Sequence, residues 1–136
     1  MAKCDQEPVV LIIDDDEMIA KYHSLVLSSF GLNSRHVVDG DSAIRACREK
    51  VFALIILDHN LRTETGDSIL RRLQAYGLVS DSLVVISSSD CATRLSPFYR
   101  NLPVEGIYSK QIAPYISDWA SKAGFSTLSR QIHRAS

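Results

Sequence analysis

Four acidic side chains, one serine and one lysine carry the chemistry that this sequence offers. Asp14, Asp15 and Asp16 follow the apolar run Val9–Ile13, and Asp58 follows Phe52–Leu57. Ser87 ends Leu83–Ser87, and Lys110 follows Glu105–Ser109. Carboxylates gathered in one place repel each other and need compensation. A hard divalent cation with oxygen ligands supplies it, and Mg2+ takes one or two carboxylates together with carbonyls, waters or phosphoryl oxygens. One carboxylate can then attack a phosphoryl donor and become an acyl phosphate. A lysine and the metal neutralise the transferring group, and a hydroxyl donates a hydrogen bond to it.

These residues must be brought together by the elements they terminate. Val9–Ile13, Phe52–Leu57 and Leu83–Ser87 are short and apolar, as suits strands buried on both faces. Asn33–Val38 and Glu105–Ser109 read as two further strands. Between them lie helical patterns. Met18, Ile19, Tyr22, Leu25, Val26 and Phe30 fall at three- and four-residue steps over 17–30, which predicts one buried face. Helices are also expected near 42–49, capped by Asp41 or Ser42, and over 67–76. A helix within 90–102 should be short, bent or late-starting because of Pro97. The last is expected from Ile112, Tyr115, Ile116 and Trp119 to near Gly124. Five strands alternating with five helices predict a doubly wound α/β fold, a parallel sheet with helices on both faces. Such sheets bind ligands beyond the C-terminal ends of their strands, where these side chains fall.

Composition narrows the function. The 136 residues are 46% hydrophobic and 23% charged, and 15 Lys and Arg against 16 Asp and Glu give a net charge of −1. That balance disfavours nucleic acid binding through a basic field. The longest apolar run, Val51–Leu57, is far short of the ~20 residues of a membrane helix. Three widely spaced cysteines (Cys4, Cys47, Cys91) form no disulfide framework, which points to a reducing cytoplasm. Residues 8–124 read as one domain and 125–136 as a short tail or extra helical turn.

The ordered motifs resemble a bacterial response-regulator receiver domain, the phosphoacceptor half of a two-component phosphorelay. They are Val10-Leu11-Ile12-Ile13-Asp14-Asp15-Asp16, Asp39-Gly40-x-x-Ala43, Leu54-Ile55-Ile56-Leu57-Asp58 with the later Gly66, Val84-Val85-Ile86-Ser87, and Tyr108-Ser109-Lys110. The resemblance implies a flavodoxin-like, three-layer fold with strand order 2-1-3-4-5. It implies that Asp58 is the phosphoacceptor and that Mg2+ is held by Asp15, by Asp14 through water, by Asp58 and by the Asn60 carbonyl. Ser87 would bond the phosphoryl group, and Lys110 would pair with Asp58 and then with a phosphoryl oxygen. Asp16 matches the less important third acid. The donor implied is a phosphohistidine on a sensor histidine kinase or phosphotransfer protein. The output implied is contact with an unidentified protein, with a homodimer on phosphorylation left open.

The sequence departs from that family at four places. Gln111 stands where a proline with a cis bond is usual, which predicts either a trans bond with a rearranged loop or a strained cis bond. Ile107 stands where an aromatic is usual; Tyr108 is adjacent and faces the other way. Leu61-Arg62 replaces Met-Pro, and Pro97 disturbs the fourth helix. His59 reads as a partly exposed rim residue. His23, His36 and His133 read as structural or solvent-facing, and Trp119 and Tyr115 as core. Roles for Ser88 and Ser89 are weaker than for Ser87.

Three functions compete. The first is a stand-alone receiver, because nothing after residue 124 is long enough for an output domain; it would assist only its own phosphorylation and dephosphorylation. The second is a phosphorylation-independent pseudo-receiver. The third is an aspartate-nucleophile phosphatase, disfavoured because Asn60 occupies the place of its general acid.

Overall fold

Strands made only of Val, Ile and Leu need cover on both faces, and that need sets the architecture. The computed structural model describes residues 8–125. Its strands are β1 (Val10–Ile13), β2 (Ser34–Val37), β3 (Leu54–Leu57), β4 (Leu83–Ser87) and β5 (Gly106–Tyr108). Its helices are α1 (Glu17–Ser29), α2 (Gly40–Glu49), α3 (Gly66–Ala75), α4 (Ala92–Tyr99) and α5 (Ile116–Lys122), with a 3-10 turn, Ala113–Tyr115, before the last. All strand pairs are parallel, in the order β2-β1-β3-β4-β5, which is the expected flavodoxin-like arrangement.

Alternation along each strand divides the core in two. Val10 and Ile12 of β1 pack with Ala20 and Leu27 of α1 and with Ile116 and Trp119 of α5. Leu11 and Ile13 face the other way, toward Ala43 of α2, Leu70 of α3 and Leu95 of α4. Trp119 is fully buried, as its place in the last helical stripe predicts. Ile107 and Tyr108 obey the same rule: the first packs on the α2–α3–α4 side and the second on the α1–α5 side.

Several local expectations need correction. The buried face of α1 is Ala20, His23 and Leu27, while Met18, Tyr22 and Leu25 are exposed. Of the expected stripe, Ile19, Val26 and Phe30 are partly buried, the last two against the α1–α5 core, so periodicity found one edge of the buried face and missed its centre. The cap of α2 is Asp39, not Asp41 or Ser42. Its carboxylate accepts from Ser42 N–H while the Ser42 hydroxyl answers the Asp39 N–H, a reciprocal capping box. Pro97 lies inside α4, which has only eight residues. The tail beyond Phe125, including His133, lies outside the described residues.

Candidate functional site

The strand order reverses between β1 and β3: β2 lies on one side of that pair, and β4 and β5 on the other. Loops leaving adjacent strand ends diverge at such a point and open a cleft. Here the cleft is lined by Asp14, Asp15, Asp58, Asn60, Ser89 and Lys110, among others.

Backbone pairing extends just past the strands and fixes two of the acids. Asp14 N–H donates to Val37 O at 3.1 Å, and Asp58 N–H donates to Ile13 O at 2.9 Å. The Asp14 carbonyl accepts from His36 Nε2 at 2.6 Å. Asp14 Oδ1 accepts from Asp16 N–H at 2.9 Å, and Asp14 Oδ2 from Lys110 Nζ at 2.8 Å. Lys110 Nζ also donates to Asp58 Oδ1 at 2.9 Å, and that oxygen accepts His59 N–H at 2.9 Å as well. The ammonium therefore bridges two carboxylates from different strands. Asp16, also on the cleft's lining, caps α1, accepting from Met18 and Ile19 N–H.

One carboxylate oxygen each from Asp14, Asp15 and Asp58 lies within 4.8 Å of the others. Three acids against one ammonium leave a surplus of negative charge. Asp58 is raised above the usual carboxylate range, first by burial and then by Asp14; Lys110 pulls it back. The donors are all hard oxygens, and Asp15 has no bonding partner among the described residues. Such a set fits a hard divalent cation.

The remaining expected residues divide. Asn60 sits at the cleft, and its side-chain amide donates to Asp90 Oδ2 at 2.9 Å. Ser87 is buried, and its hydroxyl donates to Ser109 O at 3.3 Å, toward β5. Ser89 lines the cleft, whereas Ser88 is buried and its hydroxyl accepts from Asp90 N–H at 3.1 Å. All peptide bonds among the described residues are trans, Lys110–Gln111 included, so the strained cis form is not taken.

Two residues have roles that sequence reasoning missed. His59 is not on the rim: it is 3% exposed, and its Nδ1 lies 2.7 Å from the Tyr99 hydroxyl of α4. Its ring also meets Phe98 at 4.7 Å between centroids. His23 is 1% exposed and reaches Lys110 O from α1. For His23, the alternative phase of α1 (Ala20, His23, Leu27) was the available signal. For His59, no local pattern pointed to Tyr99.

This geometry defines a doubly wound α/β domain with a carboxylate–lysine cleft at its switch point. The response regulator receiver domain family matches residues 10–114, and the chain belongs to that family. Receiver domains are signalling domains of two-component systems, and they bind Mg2+ at an acidic site of this kind. Among curated proteins the chain is similar to the probable transcriptional regulatory protein TcrX of Mycobacterium tuberculosis, with 34% identity over 55% of this chain and 32% of that protein. It is also similar to the cell cycle transcriptional regulator CtrA of Caulobacter vibrioides, with 29% identity over 65% of this chain and 38% of that protein. The matched part thus spans about a third of those relatives.

Among solved structures, a two-component response regulator from Cytophaga hutchinsonii superposes with TM-score 0.77 at 19% identity, covering 86% of this chain and 98% of that one. A CheY-like receiver domain from Methanospirillum hungatei gives TM-score 0.70 at 18% identity, covering 90% and 96%. These two likenesses concern the fold. No helix among the described residues is long and apolar enough to cross a membrane.

Proposed function

We propose that this receiver, spanning residues 8–124, accepts a phosphoryl group on Asp58 from a phosphohistidine of a sensor kinase or phosphotransfer protein, with Mg2+. The observation that carries the reading is the Lys110 ammonium bridging Asp14 and Asp58 beside Asp15. An intact set of this kind favours the reading over a phosphorylation-independent module.

Asp58 Oδ1 is held by His59 N–H and Lys110, which leaves Oδ2 to attack. A bond forms from Oδ2 to phosphorus as the donor's N–P bond breaks. Lys110 then moves from Asp58 to a phosphoryl oxygen, and the Ser87 hydroxyl leaves Ser109 O to donate to the same group. Asp14, Asp15, Asp58 and the Asn60 carbonyl would hold the metal, whose charge lowers the cost of bringing a phosphoryl anion among carboxylates. The domain's output is contact with another protein, and it speeds only its own gain and loss of phosphate. The free thiols Cys47 and Cys91 support a cytoplasmic setting.

The test is incubation with Mg2+ and acetyl phosphate, read by intact mass. One phosphoryl group should add to the native chain and none to Asp58→Ala. Absence of an adduct on the native chain, together with no response to beryllofluoride, sinks the reading.

A further inference from the structure

The usual proline after the lysine is missing, yet Lys110 still bridges two carboxylates at 2.8 and 2.9 Å. Something else must fix its backbone. The strand that leads to it cannot do so alone. β5 has three residues, pairs only with β4, and its last register pair is Ser87 with Tyr108. One more bond, Ser88 N–H to Tyr108 O at 2.9 Å, closes the ladder before Ser109.

The next two residues are held from α1. His23 Nε2 lies 3.0 Å from Lys110 O. Tyr22 donates its hydroxyl to Gln111 Oε1 at 2.9 Å. Gln111 N–H donates to Ser109 Oγ at 3.2 Å, so the turn is also closed on itself. A carbonyl can only accept, so His23 carries its proton on Nε2. Burial lowers its pKa and favours the neutral ring, whose Nδ1 is then bare, and that atom has no partner among the described residues. A leucine would fill this apolar face without leaving a buried ring nitrogen unsatisfied. The histidine is therefore better explained by the bond it gives to Lys110 than by packing.

We propose that His23, seconded by Tyr22, is the positioning residue for Lys110, a clamp from α1 that does the work of the absent proline. The proposal rests on the phosphoacceptor reading for its effect on rate, but the clamp itself is a property of the unphosphorylated protein. Holding a reacting group in place is worth large rate factors, and displacements near 1 Å can cost ~100-fold.

The experiment compares His23→Leu and His23→Gln with the native chain, each shown to be folded by a cooperative melt. His23→Leu should lower the acetyl phosphate rate constant about tenfold. His23→Gln, whose amide N–H can reach the same carbonyl, should recover most of the rate. In a Lys110→Ala background, His23→Leu should add nothing, since the effect runs through the lysine. Without any phosphodonor, the hydrogen-bonded Lys110 ammonium resonance in 15N NMR should disappear in His23→Leu and persist in His23→Gln. A resonance unchanged in His23→Leu overturns the clamp, as does an undiminished effect of that substitution in Lys110→Ala. A native chain that ignores both acetyl phosphate and beryllofluoride while the resonance still depends on His23 overturns the phosphoacceptor reading and leaves the clamp standing.

Discussion

Two buried histidines flank the cleft, and they are tied to different kinds of structure. His23 rises from α1 and bonds a backbone carbonyl in the loop that carries Lys110. His59 follows Asp58 directly: its N–H holds Asp58 Oδ1, and its ring bonds the Tyr99 hydroxyl of α4. His23 sits on a thirteen-residue helix with a side-chain cap from Asp16. His59 is bonded to an eight-residue helix with no side-chain cap, and Pro97 removes one of its N–H donors. Beside it, Ser96, Tyr99 and Ile107 line a groove of about 310 Å³ against β5. The Lys110 side of the cleft is thus tied to a longer, side-chain-capped helix, and the Asp58 side to a shorter one without such a cap. On the proposed phosphoacceptor reading, that asymmetry would hold the reactive lysine in place and leave α4 free to report.

The strongest way to break the acceptor side is at Gly66, the first residue of α3. A β-carbon there would collide with the Asp58 carbonyl and lie 2.6 Å from the Tyr99 hydroxyl. The carbonyl is backbone at the end of a central strand and yields little. Gly66→Ala should destabilise the fold by about 3 kcal/mol in urea unfolding, with the Tyr99 signals among those displaced. Stability equal to the native chain would mean that the turn is slack and that His59 and Tyr99 are not held in register.

Tyr99→Phe cuts the same link more gently. It leaves the ring of His59 without its partner in a buried site, which costs about 1–2 kcal/mol. Amide exchange should quicken in α4 and remain unchanged in α1. Equal quickening in both helices would erase the asymmetry.

What the sequence made legible follows the same division. The strands and their terminal residues were readable because β1 and β3 are wholly apolar and end sharply in acids. Asp14, Asp58 and Lys110 therefore fell into place from spacing and topology. Contacts that depend on helix phase were not. Met18, Tyr22 and Leu25 make as good a stripe as Ala20, His23 and Leu27, and only the sheet beneath α1 decides between them. Nor could His59 be seen as buried, because its cover, Phe98 and Tyr99, comes from a helix forty residues on. Ser87 was located correctly on β4, but its hydroxyl direction is set by Ser109 on the neighbouring loop.

The lysine side can be probed through pH. Burial, the largest influence on His23, holds its pKa below the ordinary 6.5, with Lys110 pushing down and Asp14 and the Lys110 carbonyl pulling up. The unfolded chain thus binds a proton at His23 before the folded chain does. Its contribution to stability is complete above about pH 6.5 and is lost as pH falls toward the folded-state value, with a slope of at most ~1.4 kcal/mol per pH unit. His23→Gln should remove that component between pH 6.5 and 5, measured as the difference in urea midpoints. Parallel curves for the two proteins would mean that the ring charges freely in place.

The smallest effect should come from Tyr22. Its hydroxyl bond to Gln111 is exposed, so water can replace either partner. Tyr22→Phe should change stability by no more than about 0.5 kcal/mol and slow acetyl phosphate turnover by only about twofold, since His23 still holds Lys110. The double variant with His23→Leu is the informative one. If both residues clamp the same turn, the loss of one changes what the other is worth, and their effects on rate will not add. Strict additivity would separate Tyr22 from the clamp and leave His23 as the single tie between α1 and the lysine.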